Sequence, residues 1–350
     1  MQNQTSETSG AKVVVLITPH GFCAGVERAV ELAEGMLRTY PLPIYCLKQI
    51  VHNRQIIEDL TAKGMVFVRD ICEVPQGGTV LFSAHGVPPA TRETAKAKNL
   101  RVVDATCPFV SKVHHEVRQY AAMGSTVLLI GHHNHDEIIG VAGEAPEHVM
   151  VIASEEEARA VTVPDPGKVA VLTQTTLSLD EVAQVMAILR ERFPALKTPP
   201  ESDICYATRN RQQAVRLFAK QADAIIVLGA ENSSNSNRLV EVARAAGCYA
   251  MLASSLEMLD TIPLDKITIL GITAGASTPE YFVQQAIAHL KTRGFNFVTE
   301  QVLVKENIHF PLPKEFRKSP APSPQPSPAR GEGEKMAVIY SLSPRGRGLG

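Results

Sequence analysis

Arg101-Val-Val-Asp104-Ala-Thr106-Cys107-Pro108-Phe109 is the stretch on which the reading of this chain turns. A β-branched run ends in a polar turn, the turn delivers a cysteine, and Pro108 opens a helical pattern over residues 110–122. The same arrangement stands on either side. Upstream, Val13-Val-Val-Leu-Ile17 passes through Thr18-Pro-His20-Gly-Phe-Cys23-Ala-Gly25 into residues 26–37, where apolar side chains fall at 26, 29, 30, 33 and 37. That spacing is helical. Downstream, Asp203-Ile-Cys205-Tyr-Ala-Thr208 leads into a helical pattern over 209–222. Each cysteine sits where a strand hands over to a helix, and three thiols at three equivalent turns need a common purpose.

The rest of the chain repeats with them. Ile44–Leu47 reads as a strand, followed by the loop Lys48-Gln-Ile-Val-His52-Asn53, a helix over 54–63 and a strand over 65–68. Gly77-Gly-Thr-Val-Leu-Phe82 ends in Ser83-Ala-His85-Gly-Val-Pro88, and a helix over 90–98 returns the chain to Cys107. A second unit runs from Thr126-Val-Leu-Leu-Ile130 through Gly131-His-His-Asn-His135-Asp-Glu137 and a short helix to about Gly143. Strands at 149–152 and 168–172 follow, then Thr173-Gln-Thr175-Thr-Leu-Ser178 and a helix to Phe193. In a third unit, residues 224–228 end in Gly229-Ala-Glu-Asn-Ser233-Ser234-Asn235-Ser236-Asn237, and a helix closes at Gly247. Residues 266–270 then lead into Gly271-Ile-Thr-Ala-Gly-Ala-Ser277, with a last helix from Pro279. Matching loops start at 131 and 229 and at 173 and 273, offsets of 98 and 100 residues. Such self-similarity is the signature of internal repeats.

Alternating strands and helices at this spacing predict an α/β chain of three similar modules with mainly parallel sheets. The boundaries expected are 12–107, 108–204 and 205–300, with an extension at 301–318. In such sheets ligands bind at the carboxyl ends of strands, where these loops lie. Residues 319–350 are rich in Pro, Ser, Arg and Gly and predict a disordered tail.

Composition narrows the function. The 350 residues are 45% hydrophobic and 20% charged, an ordinary globular balance. A net charge of −1 gives no footprint for nucleic acid or for an acidic membrane surface. The first ten residues are polar, no apolar run is long enough to span a bilayer, and the reading is cytoplasmic. In a reducing compartment, metal or catalytic roles for the six cysteines outrank disulfides.

Cys23, Cys107 and Cys205 are 84 (107−23) and 98 (205−107) residues apart, so they make no local zinc knuckle. Three thiolates from three modules fit an iron–sulfur cluster held at three corners, with one iron open. Cys46, Cys72 and Cys248 lie off the repeated turns and read as small buried residues. The strand-end loops carry His52, His85, His135, Ser233, Ser234, Asn235, Thr175 and Ser277, with few Lys or Arg. They suit a phosphate held by neutral donors and backbone amides. Ser178 with Glu181, and Ser277 with Glu280, have capping-box spacing, which makes N-caps the alternative for both serines. For Glu137 the alternative is a place in the first helical turn. There is no G-x-G-x-x-G fingerprint and no P-loop. A metal-dependent hydrolase or zinc protein, and an iron–sulfur redox sensor, compete for the same Cys/His set.

With GFCAGV (21–26), VHN (51–53), SAHGVP (83–88), DATCP (104–108), HDEI (135–138), TQTTLS (173–178), DICYAT (203–208), NSSNSNRL (232–239) and TAGAS (273–277) assembled, the chain resembles the 4-hydroxy-3-methylbut-2-enyl diphosphate reductases. These enzymes end the non-mevalonate isoprenoid pathway. The resemblance covers roughly residues 12–317 and implies three α/β domains in a pseudo-threefold trefoil around a 4Fe-4S cluster. It implies reductive removal of the allylic hydroxyl, giving isopentenyl and dimethylallyl diphosphates. Residue by residue, it makes Cys23, Cys107 and Cys205 cluster ligands. His52, His85, Ser233, Asn235 and Ser277 become the diphosphate pocket, with His135 and Ser234 beside it. Glu137 resembles the proton donor and Thr175 the hydroxyl group near the substrate alcohol. Ferredoxin or flavodoxin is the implied electron donor. Asp136 stands where the family usually has proline, and Arg209 where a smaller polar residue is common.

Overall fold

The β-branched and aliphatic runs form twelve strands in the computed structural model, which describes residues 12–317. In order they are β1 (Val13–Thr18), β2 (Ile44–Leu47), β3 (Met65–Val68), β4 (Thr79–Phe82), β5 (Arg101–Asp104), β6 (Thr126–Ile130), β7 (Val149–Ile152), β8 (Val169–Thr173), β9 (Ala224–Leu228), β10 (Tyr249–Ala253), β11 (Ile269–Ala274) and β12 (Phe297–Val302). Every pairing is parallel, in three separate sheets ordered β3-β2-β4-β5, β7-β6-β8 and β10-β9-β11-β1-β12. Strands β4, β8 and β9 are buried along their whole length, as parallel strands covered on both faces must be. The expected α/β architecture is therefore present. Apolar clusters lie on both sides of each sheet, for example Val14, Leu270 and Phe282 on one face of the third and Val15, Val215 and Ile225 on the other.

The covering helices are α1 (Ala24–Thr39), α2 (Arg54–Ala62), α3 (Pro89–Ala97), α4 (Pro108–Ala122), α5 (Asp136–Ala142), α6 (Glu155–Ala160), α7 (Leu179–Arg192), α8 (Tyr206–Phe218), α9 (Ser234–Ala245) and α10 (Glu280–Thr292). The first strand of each repeat (β2, β6, β9) lies between its second and third strands, which gives the threefold likeness a definite topology. Beside the third strand comes a fourth segment, and it leads to a cysteine. In the first sheet this is β5, leading to Cys107; in the second a single parallel bridge, Lys197 to Ala170, precedes Cys205.

In the third sheet the fourth place is taken by β1, the start of the described chain, which leads to Cys23. This differs from the boundaries read in sequence, where residues 13–17 head the module 12–107. Position along the chain counted the strands, but pairing decides membership: Val13 sits opposite Ile269 on one side and Phe297 on the other. The repeat is thus closed circularly. Beyond β12, Phe316 returns to the first sheet's core, where its ring meets Tyr40 edge-on at 5.8 Å. The tail expected at 319–350 lies outside the described residues.

Two further differences concern strands. Gly271-Ile-Thr273, read as loop, is the middle of β11; a side chain at Gly271 would meet Phe218 at 2.7 Å, so tight packing of α8 on the sheet demands the glycine. Strands β10 and β12 were not expected, and β10, Tyr-Ala-Met-Leu-Ala, has little β-propensity of its own.

Candidate functional site

Cys23, Cys107 and Cys205 are the N-cap residues of α1, α4 and α8, so each thiol stands at the positive end of a helix. They line one cavity, about 700 Å³ including its mouth, with His52, His85, His135, Glu137, Thr175, Ser233, Ser234, Asn235 and Ser277. Every site residue expected from sequence is therefore brought to this one space.

The thiol part is crowded. A side chain at Gly25 would meet Cys107 Sγ at 2.6 Å and Cys23 Sγ at 3.9 Å. Thr208 holds Cys205 through its N–H at 3.4 Å and its hydroxyl at 3.2 Å from Sγ. Burial, together with the neighbouring Cys23 thiol, pushes Cys107 up to about 12 and Cys205 up to about 11. Thiolates here therefore need a cation, which is what a metal group supplies. One tetrahedral zinc would draw three sulfurs to within roughly 4 Å of one another, given Zn–S bonds of about 2.3 Å. Among the described residues the only set of three or more Cys, His, Asp or Glu side chains that brings one ligand atom from each within 4.8 Å of the others is His52, His85 and Asp136. The three thiols are not such a set, so they are not gathered as tightly as a single zinc ion would require.

The imidazoles come from three loops, after β2, β4 and β6. His52 and His85 stack at 4.3 Å, and His135 meets them edge-on at 5.3 and 5.6 Å. Burial lowers all three pKa values, His85 well below its ordinary value and His135 to about 4, with neighbouring imidazoles adding to the shift at His85 and His135. His135 caps α5, its Nδ1 accepting from Glu137 N at 3.2 Å. Around them, His52 Nε2 and both amide atoms of Asn235 are buried without a partner. Buried polar groups are ordinarily paired, so these mark the place of a polar ligand.

Glu137 is 2% exposed, and burial pushes its carboxyl up to about 7 against two hydrogen bonds that pull it down. Those bonds are from Thr175 N to Oε1 at 2.6 Å and from Thr175 Oγ1 to Oε2 at 2.8 Å. Ser233 caps α9, accepting from Ser236 N at 3.3 Å. Ser234 shares hydrogen bonds with Gln174 and Thr176 across modules.

Neither capping box offered by the S-x-x-E spacing as an alternative forms. Ser178 caps α7 without a side-chain hydrogen bond, and α10 is capped by Pro279. Ser277 instead donates to the His52 carbonyl at 3.0 Å, because its loop turns toward the cavity before the helix starts. Cys46 and Cys248 are buried as expected, but Cys72 is exposed on a short 3-10 turn. Asp136 accepts from Lys48 Nζ at 2.5 Å, tying the loop after β6 to the loop after β2 where a proline is usual. Arg209 is exposed. Sequence reasoning missed Gly25, Thr176, Thr208 and the apolar wall of Val26, Val51, Phe109, Val110 and Ala276. Several lie inside the quoted motifs.

The LytB protein family model matches residues 14–291. The 4-hydroxy-3-methylbut-2-enyl diphosphate reductase of Rhodococcus opacus (strain B4) is 50% identical over 313 residues, covering 89% of this chain and 93% of its own. That of Acidothermus cellulolyticus is 49% identical over 306 residues, 87% and 90% of the two chains. Among solved structures, the E-1-hydroxy-2-methyl-but-2-enyl-4-diphosphate reductase from Plasmodium falciparum superposes with a TM-score of 0.84 at 37% identity, over 87% of this chain and 97% of its own. A second, a (E)-4-hydroxy-3-methyl-but-2-enyl diphosphate reductase described as the terminal enzyme of the non-mevalonate pathway, gives 0.58 at 32% identity, over 80% and 99%. Its sequence, its three-sheet fold and these relatives agree: the chain belongs to the LytB family of 4-hydroxy-3-methylbut-2-enyl diphosphate reductases.

Proposed function

We propose that this cavity is where 4-hydroxy-3-methylbut-2-enyl diphosphate loses its allylic hydroxyl reductively, giving isopentenyl and dimethylallyl diphosphates. The chain is an oxidoreductase of isoprenoid biosynthesis, at the terminal step of the non-mevalonate pathway, and its family is one of iron–sulfur enzymes. The observation that carries the site assignment is the meeting of three helix-capping thiols with unpartnered polar groups around one space.

Cys23, Cys107 and Cys205 would hold a 4Fe-4S cluster with one iron free of protein ligands. When bound, that group supplies electrons and a Lewis acid for the departing oxygen. Among the described residues no Lys or Arg lines the cavity. The diphosphate is held by His52, His85, Ser233, Asn235 and Ser277, with His135 and Ser234 beside them. An anion there raises the imidazole pKa values and draws protons into the site. The apolar wall receives the carbon chain, and remote binding of the diphosphate positions the alcohol.

Glu137 with its pKa near 7 is part-protonated at neutrality, and Thr175 fixes the carboxyl in place. It donates a proton to the leaving hydroxide. Two electrons and two protons balance the reaction: the C–O bond breaks, water departs, and one new C–H bond forms at either of two carbons. Ferredoxin or flavodoxin provides the electrons. Among the described residues no helix is long and apolar enough to cross a membrane.

Anaerobic protein, given a low-potential reductant and the substrate, is expected to form both products. Its visible spectrum and its iron and sulfide content should report a cluster before substrate is added. A colourless, zinc-loaded protein without turnover overturns the reading.

A further inference from the structure

Three cations outside the cavity lining repeat one relation. Each lies on a helix capped by a cysteine: Arg28 and Lys112 five residues after Cys23 and Cys107 (28−23, 112−107), Arg211 six after Cys205 (211−205). Arg28 Nη1 donates to the carbonyl of Thr106 at 3.3 Å, immediately before Cys107. Lys112 Nζ donates to the carbonyl of Glu201 at 3.2 Å and to Asp203 Oδ1 at 2.8 Å, in the loop that ends at Cys205. Arg211 Nη2 donates to the carbonyl of Gly21 at 2.9 Å, two residues before Cys23. The helix of the first cysteine grips the loop of the second, the second that of the third, and the third that of the first. The ring runs in one direction and closes.

We propose that Arg28, Lys112 and Arg211 form a cyclic brace that presets the triangle of thiols, each cation positioning the cysteine of the next helix rather than its own. The need for such a brace follows from the topology. The three sheets share no strand pairing, so no backbone ladder fixes one cysteine relative to another. A metal group tolerates only small errors in the positions of its ligands. Long cationic side chains can span the gap, and a charged donor to a carbonyl is the stronger kind of hydrogen bond. Arg211 shows how far the fold goes to keep one of them. It is 1% exposed, and its charge is met by Glu306 at 3.1 Å, from the segment beyond β12. A parallel tie, Ala24 N donating to Tyr206 Oη at 3.3 Å, joins the start of α1 to α8. The three are positioning residues, and none lines the cavity.

The proposal rests on the thiol assignment above, and its test separates the two. The full-length iron-loaded chain is treated anaerobically with a ferrous chelator and iodoacetamide. The loss of visible absorbance is followed, and the order in which the cysteines are alkylated is read by peptide mass spectrometry. Arg28→Gln should speed iron loss roughly tenfold or more, the loss expected for one hydrogen bond to a charged donor, with Cys107 labelled ahead of Cys23. Lys112→Gln should bring Cys205 forward, and Arg211→Gln should bring Cys23 forward. Arg28→Lys should recover most of the wild-type rate. Arg28 and Lys112 are only half-buried, so those two variants decide the matter if Arg211→Gln does not fold. Wild-type release rates, equal labelling of the three thiols, or labelling that starts at the cysteine of the substituted helix would each overturn the brace. A wild-type chain without iron sinks the cluster assignment instead, and the alkylation order of the metal-free chain still tests the brace.

Discussion

The thiols and the imidazoles line the same cavity, yet the fold prepares them in different ways. Each thiol caps a helix, and two of the three have burial-raised pKa values that only a cation can relieve. The imidazoles sit on loops after strands, are held neutral by burial, and leave His52 Nε2 and the Asn235 amide without partners. One set is unfinished without positive charge and the other without a hydrogen-bonding anion. The difference teaches that a binding site can be recognised by what its groups lack as well as by what they are.

The sharpest way to break that comparison is at the thiols. Cys107→Ser, which removes one of the three proposed ligands, should leave a chain with little or no iron and no measurable turnover, whereas Cys72→Ser, on an exposed turn, should keep both. Full iron in the Cys107→Ser protein would end the assignment.

Glu137→Gln comes next. Cluster content and substrate binding should persist, while turnover falls roughly 10²–10⁴-fold, the range for losing a general acid. In the proposed role of Glu137 the reactive form of the wild type is the protonated one. Activity should therefore decline as pH rises through about 7 and hold below it, and the Gln variant should lose that dependence. A near-normal rate at saturating reductant would return Glu137 to its alternative role in the first turn of α5.

At the polar set the expected effect is smaller and splits in sign. Asn235→Ala removes two unpaired buried amide atoms, so the ligand-free fold should be as stable as the wild type or slightly more so. Substrate should bind more weakly by roughly tenfold, the cost of one or two hydrogen bonds. Thermal melts with and without substrate distinguish this from a packing role, which would lower both. The smallest effect is expected at the far end of the chain: stopping after Lys318 should leave melting temperature and turnover essentially unchanged, since the Pro/Ser- and Arg/Gly-rich composition beyond it cannot build a packed core. Lost activity on truncation would show that the tail contributes.

Much of this was written locally. Each cysteine turn is a contiguous run of strand, polar link and helix, so Arg101–Asp104, Cys107 and Pro108 announce β5, the cap and α4 without outside help. The loops at 131 and 229, and at 173 and 273, betray the repeat because equivalent strand ends demand equivalent residue types. From these the sequence by itself determined the α/β class, the three thiols and the polar loop residues that share the cavity with them. Other features depend on partners far away in the chain. That β1 completes the third sheet follows from Val13 pairing with Ile269 and Phe297, more than 250 residues on. The place of Ser277 depends on the His52 carbonyl, the raised pKa of Glu137 on the walls that exclude water, and the brace on carbonyls distant in the chain. Periodicity and turn chemistry act over a few residues. Sheet membership, desolvation and side chains that reach between modules exist only after the chain has folded, and there the tertiary structure decided.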